Sequence, residues 1–379
     1  MSTNQPAFQP KKKSQLSGLI ATLATSAAAV VLALAVGAIF ILISNDNPVD
    51  AYRALLNGAF GGRRAIAETL VASTPMILGG LAFAIAARAG LFNIGIEGQL
   101  VMGSLAGALV GAADLGLPPF IYVPLAIVVG GIVGGIWAAI AGVLKAKSGA
   151  SEVITTIMLN YLAFRISSYM LTAAAEWLSL IDVLQQATKK VVPDARLPIL
   201  LDGTRLHAGL IFALVAAIVL WFLLFRTTFG YKIRTVGLSQ GAAAFAGISW
   251  GRTIILAMFV SGFLGGMAGA IEATGLLGRH YDNRAGYGFT AIAVGLVGRN
   301  HPLGVIVAGI LFGVLRSGAN GMQNEAGTSK ELVLILQGLV ILSISALAAL
   351  EFRRRQKRVR IESTPPPTAA DQAPQGAQA

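Results

Sequence analysis

Apolar residues in this chain come in long unbroken blocks, and the lengths of those blocks predict its elements. From Leu19 to Ile43 no acidic or basic residue interrupts the sequence. A hydrocarbon core about 30 Å thick is crossed by roughly 20 apolar residues in a helix, so this block predicts a first membrane span. It is too long for the apolar part of a signal peptide and is expected to be retained. Further spans are predicted at Ile66–Ala87, Leu91–Ala112, Ile121–Leu144, Glu152–Leu171 and Leu206–Phe225. The second half adds Ile254–Leu276, a short one at Tyr287–Val297, Leu303–Gly321 and Glu331–Leu350. The short alternating segments of a transmembrane barrel are absent, so the blocks read as helices. The expected fold is an all-α polytopic membrane protein with about ten transmembrane helices spanning 19–350. It is flanked by a tail over 1–18 and a basic, then polar, tail over 351–379.

Charge then orients the spans. The 379 residues carry 29 Lys and Arg against 17 Asp and Glu, a formal net charge of +12. Only 12% of the chain is charged and 55% is hydrophobic, with a mean hydropathy of +0.72. Soluble domains carry about 25% charge, which excludes an ordinary soluble enzyme. Basic residues mark cytoplasmic flanks. With the N-terminus inside, 17 Lys and Arg fall on inner segments and ten on outer ones, while Arg165 and Arg316 lie within spans. This bias predicts both termini inside, which an even number of spans satisfies. The positive charge is thus a topological signal and not a nucleic-acid footprint. The cluster Arg353, Arg354, Arg355, Lys357, Arg358 and Arg360 would end the last helix at the anionic lipid of the inner surface. The tail from Ser363 reads as disordered.

The spans divide into one helix, a group of four, a linking helix and a second group of four. The groups enter the membrane from opposite sides, so any repeat would be inverted, with a solute path at their interface. The 45 glycines fall partly into ridges at spacing four, among them Gly103–Gly107–Gly111 and Gly262–Gly266. Such ridges let helices in lipid approach closely, within the subunit or against a moving or partner surface.

Polar residues inside the spans are the candidates for function. Gly90–Leu100 places Asn93, Glu97 and Gln99 in a predicted span interrupted by Gly90, Gly95 and Gly98. A carboxylate there costs about 2.5–3.5 kcal/mol, so Glu97 should face a cavity or a hydrogen-bond partner. Asn93 and Glu97, four apart, would share a helix face. Either these groups line a solute path, or they bond backbone at a helix entrance. Thr156 and Asn160 form a second polar pair four apart, suited to a path or to interhelical bonding. Glu152 would sit in the first turn of its helix, where the dipole favours it. Glu272, Arg165 and Arg316 are further intramembrane charges with no assigned pairing. The inner loop 226–253 contains Gly237–Ile248, where Ser239 would cap a short helix and Gly247 would stop it. Leu238, Ala242, Ala243, Phe245 and Ile248 would give that loop a compact apolar face for another protein. No phosphate loop, metalloprotease or nucleophile-elbow motif is present. There is no cysteine and there are three histidines, so no cofactor or metal is implied and covalent catalysis has no candidate residue.

Four blocks carry a family resemblance: Gly90–Leu100, Ser151–Tyr161, Gly237–Ile248 and Gly288–Gly304. Together, over Ile66 to Leu350, they resemble permease subunits of ABC importers for simple sugars, nucleosides and branched-chain amino acids. The run F-N-I-G-x-E-G-Q followed by S-E-V-I-T-T-x-M-L-N-Y is most similar to the longer of two paired permeases in nucleoside importers. The resemblance implies a multi-pass protein of a prokaryotic plasma membrane. Its expected partners are a second permease subunit in a heterodimer, a cytoplasmic ABC ATPase that hydrolyses ATP, and an extracytoplasmic substrate-binding protein. It makes Gly237–Ile248 the segment that couples to the ATPase, although Gly241 stands where family members often carry Glu. It assigns no residues to the solute path, for which Asn93, Glu97, Gln99, Thr156 and Asn160 are the candidates read from the residues themselves. The rival reading, from inverted halves with carboxylates at Glu97 and Glu272, is an ion- or proton-coupled secondary transporter.

Overall fold

The computed structural model describes residues 31–173, 179–281, 286–329, 331–339, 342, 343 and 346. Several sequence expectations lie outside the described residues: Lys11–Lys13, the start of the first span, the end of the last, and the basic and disordered tail. The chain separates into two compact units. One is Ile41–Leu334; the other joins Met1–Phe40 with Ile335–Ala379. In the second unit the described residues are helical.

The helices in order are α1 (Val31–Ile43), α2 (Pro48–Phe60), α3 (Arg63–Arg88), α4 (Ile96–Ala112), α5 (Pro119–Ser148) and α6 (Glu152–Leu171). They continue with α7 (Gly209–Arg226), α8 (Thr228–Leu238), α9 (Gln240–Phe245), α10 (Trp250–Ile271), α11 (Tyr287–Val297) and α12 (Pro302–Ala326), and helix resumes over 331–339 as α13. Strand is confined, among the described residues, to the two-residue pair Ile181–Asp182 and Ala187–Thr188 and two isolated bridges. Among the described residues, five helices are long and apolar enough to cross a membrane: α3, α5, α7, α10 with its extension to Leu277, and α12. A sixth arises if α1 and α2 form one broken span. Of the other predicted spans, the described residues of the first and last are helical, α6 is a helix of 20 residues, and α4 and α11 are short apolar ones.

Burial sorts these helices. In the most apolar window of α3, 83% is buried, against 28% in α7. An α-helix apolar on every side belongs in the interior, and α3 packs on α10, α11 and α12. The face of α7 carrying Ile211, Val215, Ile218, Val219 and Phe222 is exposed, as lipid-facing residues would be. The closest packing joins α10 to α5 and α4. At Gly103 on α4 an added Cβ would fall on the carbonyl of Gly266 on α10, so the small-residue ridges act within the subunit.

α2 is an element the span-length window does not find. It is 13 residues long, with Asp50 in its first turn, and the Asn47 side chain accepts from the Val49 nitrogen at its N-terminus. Between α6 and α7 the chain folds as short turns and the small strand pair. There Arg205 reaches both oxygens of Glu68 on α3, at 2.9 and 2.5 Å.

Candidate functional site

The span predicted from Leu91 begins instead at Ile96, after an irregular approach. Asn93 is the cause. Its Oδ1 accepts from the Gly95 nitrogen at 2.9 Å, a local turn that competes with helix. Asn93 and Glu97 therefore do not share a helix face. Asn93 turns toward Gln99, with which it exchanges bonds of 3.1 and 3.2 Å, and donates to Ser261 of α10 at 2.8 Å. Ser261 Oγ in turn donates to the Ala82 carbonyl of α3 at 2.6 Å.

A helix start leaves its first backbone N–H groups without partners, and inside a bilayer such groups need partners from the protein. The N-cap of α4 is Gly95, which has no side chain to offer. The missing acceptor comes from α6, where Asn160 Oδ1 accepts from the Gly98 nitrogen at 2.8 Å. The same amide donates to the Ile94 carbonyl at 3.0 Å, and Thr156 Oγ1 accepts from the Ile94 nitrogen at 3.3 Å. Thr156 and Asn160, four apart on α6, thus hold both polar groups of Ile94.

Glu97 repeats this arrangement one helix further on. α11 begins at Tyr287 after Gly286, again with no capping side chain. Glu97 Oε1 accepts from the Gly286 nitrogen at 3.0 Å and Oε2 from the Gly288 nitrogen at 2.5 Å. A carboxylate at a helix N-terminus also meets the positive end of the helix dipole. At Gly288 an added Cβ would collide with the backbone of Glu97, so glycine is what allows the approach. The two short helices are each capped by a side chain from another helix.

The five sequence candidates are therefore together. Asn93, Glu97, Gln99, Thr156 and Asn160 are all 2% exposed or less, and each is hydrogen-bonded to another element. Residue patterns missed Ser261, a lone serine in an apolar block that stands beside Gly262. They also missed the role of His280, whose ring nitrogens lie 2.8 Å from Ser104 Oγ of α4 and from Ser167 Oγ of α6.

The Gly237–Ile248 segment folds as expected. Ser239 Oγ accepts from the Ala242 nitrogen at 3.2 Å and opens α9. Gly247, at φ +68°, turns the chain after it. Leu238 is 88% and Phe245 97% exposed, while Ala243 and Ile248 are buried. Gly237 packs against the Arg88 carbonyl at the end of α3, too closely for a side chain.

Long apolar helices around an interior of paired polar side chains define a multi-pass membrane protein. The family model described as the branched-chain amino acid transport system permease component matches residues 65–345, and the chain belongs to that family. It is 40% identical over 331 residues to guanosine ABC transporter permease protein NupP of Bacillus subtilis (strain 168), covering 86% of this chain and 93% of that protein. It is 36% identical over 330 residues to nucleoside ABC transporter permease protein NupB of Lactococcus lactis subsp. cremoris (strain MG1363), covering 85% and 90%. To glucose ABC transporter permease protein TsgB13 of Haloferax volcanii it is 34% identical over 324 residues, covering 83% and 84%. No solved structure matches the chain.

Proposed function

We propose that this chain is the membrane-spanning permease subunit of an ATP-driven ABC importer for nucleosides. The observation that carries the reading is its similarity, over 85–86% of its length, to two permeases named for guanosine and nucleosides. The glucose permease relative keeps simple sugars as the second solute class. The architecture proposed is ten spans with both termini inside and two inverted groups of four. In that scheme the short helices α4 and α11 hold the same place, second in each group. Short, broken helices at matching places in two halves are the feature that points to a binding site. Asn93, Glu97, Gln99, Thr156 and Asn160 set the path's shape there by fixing the entrances of α4 and α11.

The permease domain spans 19–350. Its loop 226–253 presents Leu238 and Phe245 to a separate ABC ATPase, while Gly237, Ala242, Ala243, Gly247 and Ile248 set the loop's shape. A second permease subunit completes the path, and an extracytoplasmic binding protein delivers the solute. The complex sits in a prokaryotic plasma membrane. The ion-coupled reading loses support at Glu97, because both of its oxygens accept backbone amides.

The test is uptake of labelled nucleosides by cells with and without this chain, with unlabelled nucleosides and glucose as competitors. The reading requires uptake that depends on the chain, is abolished by a hydrolysis-defective ATPase, and is competed by nucleosides. Uptake that persists without ATP hydrolysis but collapses with the ion gradient overturns it.

A further inference from the structure

α6 is polar on two faces, and its neighbours among the described residues account for one of them. The buried face carries Thr156, Asn160 and Ser167, which bond the approach to α4 and the His280 ring. The opposite face carries Ile154, Met158, Tyr161, Leu162, Arg165 and Tyr169, all exposed. At about 3.6 residues per turn these positions fall within about 100° of one another, a continuous stripe along the helix. Arg165 makes no hydrogen bond, ion pair or ring contact among the described residues.

The depth of Arg165 decides what can cover that stripe. α6 runs from Glu152 to Leu171, about 30 Å, which matches a hydrocarbon core. Arg165 lies about 20 Å from the start of the helix and about 9 Å from its end. Cα–Cβ bonds tilt toward a helix N-terminus, so the stem of Arg165 leads toward the middle of the span and not to the nearer surface. A charged side chain at that depth faces protein or water and not lipid. By contrast, the exposed residues of α7 from Ile211 to Phe222 are all apolar. Water is a poor match for the α6 stripe, because Ile154, Met158 and Leu162 share it. Tyrosine, methionine and arginine together are the residues enriched where two proteins pack.

A second copy of this chain fits badly there. Around a two-fold axis along the membrane normal, a residue at the interface meets its own counterpart at the same depth. Guanidinium would then face guanidinium, whereas a different subunit can place an acceptor at that level.

We infer that the outward stripe of α6 is the surface on which the second permease subunit packs, a chain different from this one, with Arg165 donating to an acceptor on that subunit. The inference rests on the permease reading and names where the second subunit completes the membrane domain.

The experiment uses the complete importer, expressed with its second permease, ATPase and binding protein. A photoreactive benzoylphenylalanine replaces Tyr161, Tyr169 or, as the control on α7, Phe222. Illumination is expected to join the Tyr161 and Tyr169 positions to the second permease and to leave the Phe222 position unjoined to it. Attachment of the first two to lipid alone, or to another copy of this chain, overturns the inference. Arg165→Leu is expected to lower the amount of second permease that copurifies by about tenfold, the effect of one hydrogen bond to a charged group. Arg165→Lys keeps the charge and is expected to lower it less. If Arg165→Leu does not fold, the photoreactive variants decide. Full copurification with Arg165→Leu also overturns the inference: a raised melting temperature would then mark a lipid face, and lost uptake would place Arg165 on the solute. Uptake by a complex that holds only copies of this chain overturns the inference and leaves the permease reading intact. Nucleoside uptake that is unchanged when this chain is deleted overturns that reading itself.

Discussion

Asn160 on α6 accepts a hydrogen bond from the backbone nitrogen of Gly98 on α4 at 2.8 Å, and so supplies the cap that α4 lacks. The same side chain donates to the Ile94 carbonyl. Asn160→Ala leaves both backbone groups buried without partners, at about 1–3 kcal/mol each. The expected result is a complex that melts several degrees lower in detergent. Thr156→Val, which removes the acceptor for the Ile94 nitrogen and a bond donated to the Glu152 carbonyl of its own helix, should cost less. Equal melting of Asn160→Ala and wild type would show that the cap contributes nothing.

The carboxylate of Glu97 holds the start of α11 by two amides. Glu97→Gln keeps an acceptor for one of them and loses the charge at the helix N-terminus; Glu97→Ala loses everything. The expected order of melting temperature and of uptake is wild type, then Gln, then Ala. Uptake that falls equally in Gln and Ala, with melting unchanged in both, would mean the charge acts on the solute and not on α11.

How much of this was legible in the sequence follows from what each signal measures. Block length finds α3, α5, α7, α10 and α12, because crossing hydrocarbon demands it, and it misses α2, which is short and carries charge. The polar candidates were found as costly residues in apolar blocks, and all five lie together. Their partners were not legible. A spacing of four suggested that Asn93 and Glu97 share a face, yet Asn93 bonds its own backbone at Gly95 and ends the helix before that spacing applies. Glu97 lies 189 residues from Gly286 and Asn160 lies 62 from Gly98; such pairings depend on helix packing and not on local pattern. Helix α9 within Gly237–Ile248 was readable because its start and stop signals, Ser239 and Gly247, are local.

The contact of Gly103 with the Gly266 carbonyl fixes how closely α4 and α10 approach. Gly103→Val forces them apart and is expected to abolish assembly or lower melting by far more than Gly251→Ala. At Gly251 a new Cβ would meet Ala146 at 3.4 Å, an ordinary contact. Wild-type melting in Gly103→Val would refute the packing role of the ridge.

On α9, exposed and buried positions separate docking from folding. Phe245 is 97% exposed, so Phe245→Arg should leave the permease folded while weakening ATPase association and uptake. Ala243 is fully buried, so Ala243→Glu should disturb α9 itself and lower melting as well. Normal copurification of the ATPase with Phe245→Arg would remove α9 from the interface.

Phe225, near the end of α7, gathers two guanidinium groups and an imidazole. Arg88 and Arg234 lie 5.6 and 5.3 Å from its ring, and the His301 ring lies 5.2 Å away at a tilt of 31°. Arg88 also donates to the Asn300 carbonyl at 2.9 Å, so the cluster ties the end of α3 and helix α8, which leads into α9, to the turn between α11 and α12. Burial, and then the Arg88 charge, hold the His301 pKa below its ordinary value. A lowered folded value means that the unfolded chain takes up the proton first as pH falls. Stability from this site is therefore complete above about pH 6.5 and is lost as pH drops below it, until the folded ring also titrates. The expected outcome is a melting temperature for the purified complex that declines between pH 7.5 and 5.5 more in wild type than in His301→Gln, which cannot titrate. Parallel pH profiles for the two proteins would show that protonation at His301 does not disturb the cluster.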